Sequence, residues 1–254
     1  MTASQPSTTR LRLDELLVRR GHFTSRSRAR DAIERATVSV GGRVETRPGV
    51  AVSGDAPITV DDPAAAYVSR AALKLVAGLD AFGIDPAGLV ALDLGASTGG
   101  FTQVLLERGA TRVWAVDVGH GQFDAGLRAD ARVRLREGLN ARDLTVADLE
   151  GEVPELLVCD VSFISLKLAL PPALSLAAPG ARGIFLVKPQ FEAGRDAIGK
   201  GGLLKQPGDA PRVAAEVARW LDAMPGWRVR GLIDSPISGG DGNREFLLGA
   251  VKDR

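Results

Sequence analysis

Several residue types are scarce in this chain of 254 residues, and each shortage excludes something. Cysteine occurs once, at Cys159, so neither an intrachain disulfide nor a cysteine-built zinc site can form. Histidine occurs twice, at His22 and His120, which argues against a histidine-rich metal centre, and no metal is expected. Every apolar run falls short of the roughly 18 residues needed to cross a bilayer, so no membrane partner is expected. Residues 1–9 lack a basic flank followed by an apolar core, so they read as a disordered tail rather than a signal peptide. Together these absences fit a cytoplasmic protein. Net charge is also nearly missing, at +1. The composition that remains, 45% hydrophobic and 25% charged, is that of an ordinary globular protein with one large domain or two unequal ones.

The near-zero charge hides an asymmetry. Residues 10 to 47 hold ten arginines against five acids, an excess of +5, which leaves about −4 for the rest. A basic module on a mildly acidic body is expected to meet an anion. Within this module Leu13, Leu16 and Leu17 have helical spacing up to Gly21. Thr24 or Ser25 can cap a second helix through Arg35, with Ala29, Ala32 and Ile33 inward. Val38 and Val40, a Gly41-Gly42 turn, Val44, and then Ile58 and Val60 read as short strands. Arg12, Arg19, Arg20, Arg26, Arg28 and Arg30 are the candidates for tracking phosphates. The expected organisation is a tail over 1–9, a basic module over 10–62, a linker over 63–68 and a second domain over 69–254.

In the second domain, Ser69 can cap a helix running through Ala81. Buried strands are expected at Val90–Leu94, Arg112–Val116, Leu156–Cys159 and Gly183–Val187, followed by strands at Trp227–Ile233 and Arg244–Ala250. Helices are expected over Gly100–Arg108, Leu166–Leu176 and Arg212–Met224. Strands alternating with helices imply an α/β fold with a mostly parallel, doubly wound sheet.

The turn Asp93-Leu-Gly-Ala-Ser-Thr-Gly-Gly-Phe101 is the sharpest local signal. Its spacing of Asp93, Gly95, Ser97, Gly99 and Gly100 differs from the dinucleotide fingerprint, and no Gly-Lys-Ser/Thr ending makes it a phosphate loop. Glycines let a ligand approach the backbone closely. An acid at the strand end suits a cationic sulfonium better than a pyrophosphate, which favours S-adenosylmethionine as cofactor. Phe101, in the first turn of the following helix, is a further candidate for contact with the cofactor. About 20 residues on, Asp117 ends the next strand, where an acid can accept both ribose hydroxyls of an adenosine. Asp143 is a further, weaker candidate near the adenine.

Lys74, Asp160, Lys188 and Glu245 lie where such a sheet gathers its ligands. Their order and flanking words, among them Val158-Cys-Asp-Val-Ser-Phe163 and Leu186-Val-Lys-Pro-Gln-Phe-Glu192, resemble the catalytic tetrad of the FtsJ/RrmJ-like ribose 2′-O-methyltransferases. The words Arg-Leu-Asp-Glu-Leu-Leu-Val-Arg-Arg-Gly21 and Ser25-Arg-Ser-Arg-Ala29 resemble an S4 RNA-binding domain. Their combination, from about Arg10 to Val251, resembles the TlyA (haemolysin A) family. That resemblance implies a Rossmann-like, seven-stranded methyltransferase domain behind a small α+β S4 domain. It also implies methyl transfer to cytidine 2′-hydroxyls, with ribosomal RNA or a ribosomal subunit as partner. It makes Lys188 the best candidate for accepting or steering the hydroxyl proton, with Asp160 as the other possibility.

Two other methyltransferase chemistries fit less well. Cys159 lacks the preceding proline of a cytosine C5 nucleophile and reads as a buried small residue. Asp160-Val-Ser-Phe163 departs from the Asn/Asp-Pro-Pro-Tyr/Phe word of the amine N-methyltransferases, and Phe163 suits base contact or core packing equally. Gly194 to Gly202 reads as a loop over the site or an ordinary surface loop. A non-catalytic RNA-binding protein and a membrane-active haemolysin stand as alternatives.

Overall fold

A computed structural model describes residues 9–240 and 242–253, so the expected tail over 1–9 lies almost wholly outside the described residues. The chain forms two compact units, one extending to Ala66 and the other beginning at Tyr67.

The first unit contains β1 (Arg10–Arg12), α1 (Leu13–Arg19), α2 (Arg26–Glu34), β2 (Val38–Val40), β3 (Arg43–Val44), β4 (Ala51–Ser53) and β5 (Ile58–Val60). Gly21, at φ +76°, takes the left-handed turn that ends α1. Of the two possible caps for α2, Ser25 is used: its side chain accepts from the backbone N–H of Arg28. The helices bury Leu13, Leu17, Ala29, Ala32 and Ile33 against Phe23 and Val38. β3, β2 and β5 form one antiparallel sheet, and β1 and β4 form a separate pair.

The second unit runs α3 (Ala72–Phe82), β6 (Val90–Leu94), α4 (Gly100–Glu107), β7 (Arg112–Asp117), α5 (Ala125–Arg128), β8 (Val133–Glu137) and β9 (Leu156–Cys159). It continues through α6 (Leu166–Ala169), α7 (Pro171–Leu176), β10 (Arg182–Val187), α8 (Pro189–Glu192), α9 (Ala210–Asp222), β11 (Trp227–Asp234) and β12 (Phe246–Lys252). The sheet order is β11-β12-β10-β9-β6-β7-β8, with β12 antiparallel to both neighbours. The order reverses between β6 and β9, so the crevice at their carboxyl ends is where such a sheet binds ligands.

Side chains alternate across each strand, and this sorts the core into two layers. Leu92, Leu157, Phe185 and Leu248 face the cluster covered by α6, α7 and α9. Ala91, Val158, Ile184 and Leu247 face the cluster built with α3 and α4. Continuing the alternation puts Asp93, Asp160, Lys188 and Glu245 on the α3/α4 face, the face that Lys74 approaches from its helix.

Several element boundaries differ from the sequence reading. Ser69 does not cap α3, whose N-cap is Ala71 with no side-chain bond; Ser69 Oγ instead accepts from the Ala71 N–H in the preceding turn. The single helix expected over Leu166–Leu176 is broken into α6 and α7, because Pro171 and Pro172 lack the N–H groups that would continue it. Glu245 precedes β12 rather than beginning it: its carbonyl accepts from the Ser235 N–H just beyond β11.

Candidate active site

The loop between β6 and α4 has unusual backbone. Gly95 (φ +80°) and Gly99 (φ +99°) are left-handed, and Ser97 joins them at φ +50°. A Cβ on Gly95 would lie 2.6 Å from the Asp160 carbonyl oxygen, so only glycine allows the β6 and β9 loops to meet. Gly100 is equally confined, since a Cβ there would lie 2.9 Å from Ser69 Cβ. Two cavities, of about 940 and about 210 Å³, open on this loop. Gly95, Ser97, Asp160 and Ser162 line both. The larger extends past Asp117, Val118 and Asn140–Arg142, while the smaller is closed by Ser69, Gly100, Phe101 and Lys188.

Asp117 ends β7 and accepts from the backbone N–H groups of Ser97 and Gly119, each at 2.7 Å, so it pins the glycine loop as well as lining the larger cavity. Asp143 is not among the lining residues; it lies on the surface 3.6 Å from Arg142, and its neighbours Asn140 to Arg142 line the cavity instead.

Asp93 lies beneath the turn, outside both linings. It is fully buried; Thr102 Oγ1 donates to Oδ2 at 2.7 Å, and Oδ1 has no protein partner. Burial pushes its carboxyl up to about 7, the Thr102 hydrogen bond opposes the shift, and the charges of Asp160 and Asp117 add to it. The folded state therefore holds a proton that the unfolded chain, titrating near about 3.9, releases. Stability should fall as pH rises from about 4 to about 7, by at most about 1.4 kcal/mol per pH unit. Asp93→Asn is expected to flatten that slope, gaining most over the wild type above about pH 7. Denaturant titrations across this range measure the slope, and equal slopes for the two proteins would assign the proton elsewhere.

The four charged residues of the sequence pattern form two ion pairs. Lys188 Nζ lies 2.6 Å from Asp160 Oδ1 and donates to Ser162 Oγ at 2.8 Å, at the mouth of the smaller cavity. Lys74 Nζ lies 2.6 Å from Glu245 Oε2, and this pair is buried and lines neither cavity. Cys159 is fully buried, and burial pushes its thiol far above the usual range, which removes it as a nucleophile.

The sequence reading did not single out Ser162, Thr102 or Glu192. Glu192 accepts from Ser165 Oγ and the Leu166 N–H, and so ties α8 to the loop after β9. Phe163 is 91% exposed at φ +64°, with its ring centroid 5.1 Å from that of Phe191. Both rings line the larger cavity, so core packing does not account for Phe163.

In the first unit, Asp14 is buried and accepts from Arg12 and from Arg26 at 3.0–3.1 Å. Burial raises its carboxyl, but the two guanidinium groups outweigh this and hold it below the usual range. Arg12 and Arg26 are thereby fixed at the surface. Arg20 donates to the Gly54 and Ala56 carbonyls, and Arg28 donates to the Ala64 carbonyl. Arg19 and Arg30 are exposed. Among the described residues, no cluster of three or more His, Cys, Asp or Glu could hold a metal ion, and no helix is long and apolar enough to cross a membrane.

A mostly parallel seven-stranded sheet with a glycine cradle at its switch point and lysine–carboxylate pairs at its strand ends defines a Rossmann-like methyltransferase. Residues 67–252 match the FtsJ-like methyltransferase family, and residues 11–58 match the S4 domain. The chain belongs to the TlyA (haemolysin A) family, in which these two parts are joined. It is 45% identical to the 16S/23S rRNA (cytidine-2′-O)-methyltransferase TlyA of Mycobacterium tuberculosis, over 94% of this chain and 89% of that one. It is 43% identical to YqxC of Bacillus subtilis, described as an rRNA methyltransferase, over 93% and 84% of the two chains. A solved structure from Streptococcus thermophilus, described as a hemolysin, superposes with a TM-score of 0.74 at 37% identity, covering 97% and 90%.

Proposed function

We propose that this protein transfers a methyl group from S-adenosylmethionine to a ribose 2′-hydroxyl of ribosomal RNA, with cytidine as the acceptor nucleoside. The observation that carries this reading is the Lys188–Asp160 pair, 2.6 Å apart, beside the glycine cradle of Gly95 to Gly100. The names of the relatives supply the acceptor nucleoside and the class of RNA.

The residues at the cradle fit the cofactor. Gly95 and Ser97 line both cavities, and Asp117 is available to adenosine hydroxyls at the edge of the larger one. S-adenosylmethionine, when bound, supplies an electrophilic methyl group whose departure leaves a neutral thioether. The protein must then position a ribose hydroxyl and take its proton. Lys188 Nζ is the proposed acceptor of that proton, with the Asp160 carboxylate stabilising the ammonium that forms. The buried Lys74–Glu245 pair braces α3 against the start of β12 on the same face of the sheet.

For the first unit, Arg12, Arg19, Arg26 and Arg30 are proposed to track RNA phosphates. Charge reversal of Arg19 and Arg30 together is expected to weaken rRNA binding and reduce the slope of log affinity against log salt by about 2. A binding series at several salt concentrations measures this, and an unchanged slope would remove these two side chains from the interface. The function itself is tested by mass-spectrometric mapping of ribose methylation in ribosomal RNA treated with and without the purified protein. The expected result is a new 2′-O-methyl group. Methylation on a base, or none, would overturn the proposal.

A further inference from the structure

We infer that Ser162 is a positioning residue for Lys188, holding its amino group together with Asp160; the inference rests on the proton-accepting role proposed above for this lysine. Lysine carries its nitrogen on a flexible four-carbon stem, so a single partner leaves that nitrogen free to swing. Here there are two partners: Asp160 Oδ1 at 2.6 Å and Ser162 Oγ at 2.8 Å.

The fold sets this arrangement. β9 and β10 are parallel and in register at Cys159 and Phe185. Extending that register by three residues brings Ser162 opposite Lys188. Asp160 and Ser162 are two apart, so an extended chain presents both on the side where Lys188 emerges. Two neighbours keep the segment in place. Gly95 lets the Asp160 carbonyl press against the glycine loop, and Phe163, at φ +64°, turns the chain away directly after the serine. Ser162 lines both cavities, as does Asp160.

The chemistry needs this geometry. As an acceptor of the ribose proton, Nζ must be a neutral amine with two N–H bonds and one lone pair. The Ser162 hydroxyl takes one N–H bond, and the Asp160 carboxylate fixes the nitrogen by its charge at 2.6 Å, which leaves the lone pair for the substrate. As the oxygen bonds to the methyl carbon and the carbon–sulfur bond breaks, the hydroxyl proton passes to Nζ. The resulting ammonium keeps the same two partners. With Ser162 removed, one N–H loses its acceptor and competes with the lone pair for the position facing the substrate.

Ser162 is exposed, so substitutions there leave the fold intact. The test uses the full chain carrying Ser162→Ala or Ser162→Thr, with kcat and KM measured on ribosomal RNA and S-adenosylmethionine affinity measured by titration. Ser162→Ala is expected to lower kcat roughly 10- to 100-fold, with KM and cofactor affinity within about twofold of wild type. Ser162→Thr keeps the hydroxyl and is expected to recover kcat to within about threefold of wild type. An unchanged kcat in Ser162→Ala, a threonine variant as poor as the alanine one, or a parallel loss of cofactor affinity would each overturn the inference. A wild-type protein that methylates no ribose hydroxyl would instead remove the functional reading beneath it.

Discussion

Lys188→Ala is expected to lower methyl transfer by roughly 100- to 10,000-fold, the range lost with a positioned acid–base group, while S-adenosylmethionine affinity stays within about twofold. The separation of effects follows from the site. Lys188 lines only the smaller cavity and Asp117 only the larger one, while Gly95, Ser97, Asp160 and Ser162 line both. Removing the lysine leaves the Asp160 carboxylate without its cation at the mouth of the smaller cavity, but the cradle keeps its shape. Transfer of a tritiated methyl group to ribosomal RNA, with equilibrium binding of the cofactor measured alongside, distinguishes the two. Turnover like that of the wild type would remove Lys188 from the mechanism.

The second large effect concerns the other ion pair. Lys74 and Glu245 are both buried, so Glu245→Ala strands a charge in the interior at a cost of about 3–5 kcal/mol. Replacing both partners by apolar residues, as in Lys74→Met with Glu245→Leu, removes charge and counter-charge together and is expected to be close to neutral. Urea midpoints should therefore fall sharply for the single variant and recover in the double one. Activity then separates structural support from chemistry. A double variant that is stable but inactive assigns the pair a part in turnover. Recovery of both properties would make it a brace between α3 and β12 and nothing more.

Some of this architecture is legible in the sequence for identifiable physical reasons. The central strands read clearly because both faces are buried, which makes Val90–Leu94, Leu156–Cys159 and Gly183–Val187 almost continuously apolar. The glycine turn reads clearly because positive φ requires glycine at Gly95 and Gly99. β8 was missed because it is an edge strand in which Arg134 and Arg136 alternate with Val133 and Leu135, a pattern short enough to pass for a charged loop. β1 and β4 were missed because each three-residue strand has one large apolar residue, Leu11 and Val52, and neither signals without the other. The four charged residues could be named from their flanking words, but not paired. That Lys74 meets Glu245 across 171 positions, and Lys188 meets Asp160, depends on sheet order. Ser162 carries no sequence signal of its own, since a serine two residues after an acid is unremarkable until the register sets it opposite Lys188.

Phe163 sets two demands on the chain against each other. A non-glycine residue in left-handed backbone costs about 1–3 kcal/mol, and this ring recovers little of that by burial because it is almost wholly exposed. Glycine at this position would relax the backbone and remove an apolar group from water. A selection for thermal tolerance alone would therefore favour Phe163→Gly, and in doing so would strip one of two facing rings from the cavity beside Lys188. Phe163→Gly is thus expected to raise thermal stability while it alters the lining of the larger cavity, and melting temperature and turnover measured together on that variant show whether the two are opposed at this residue.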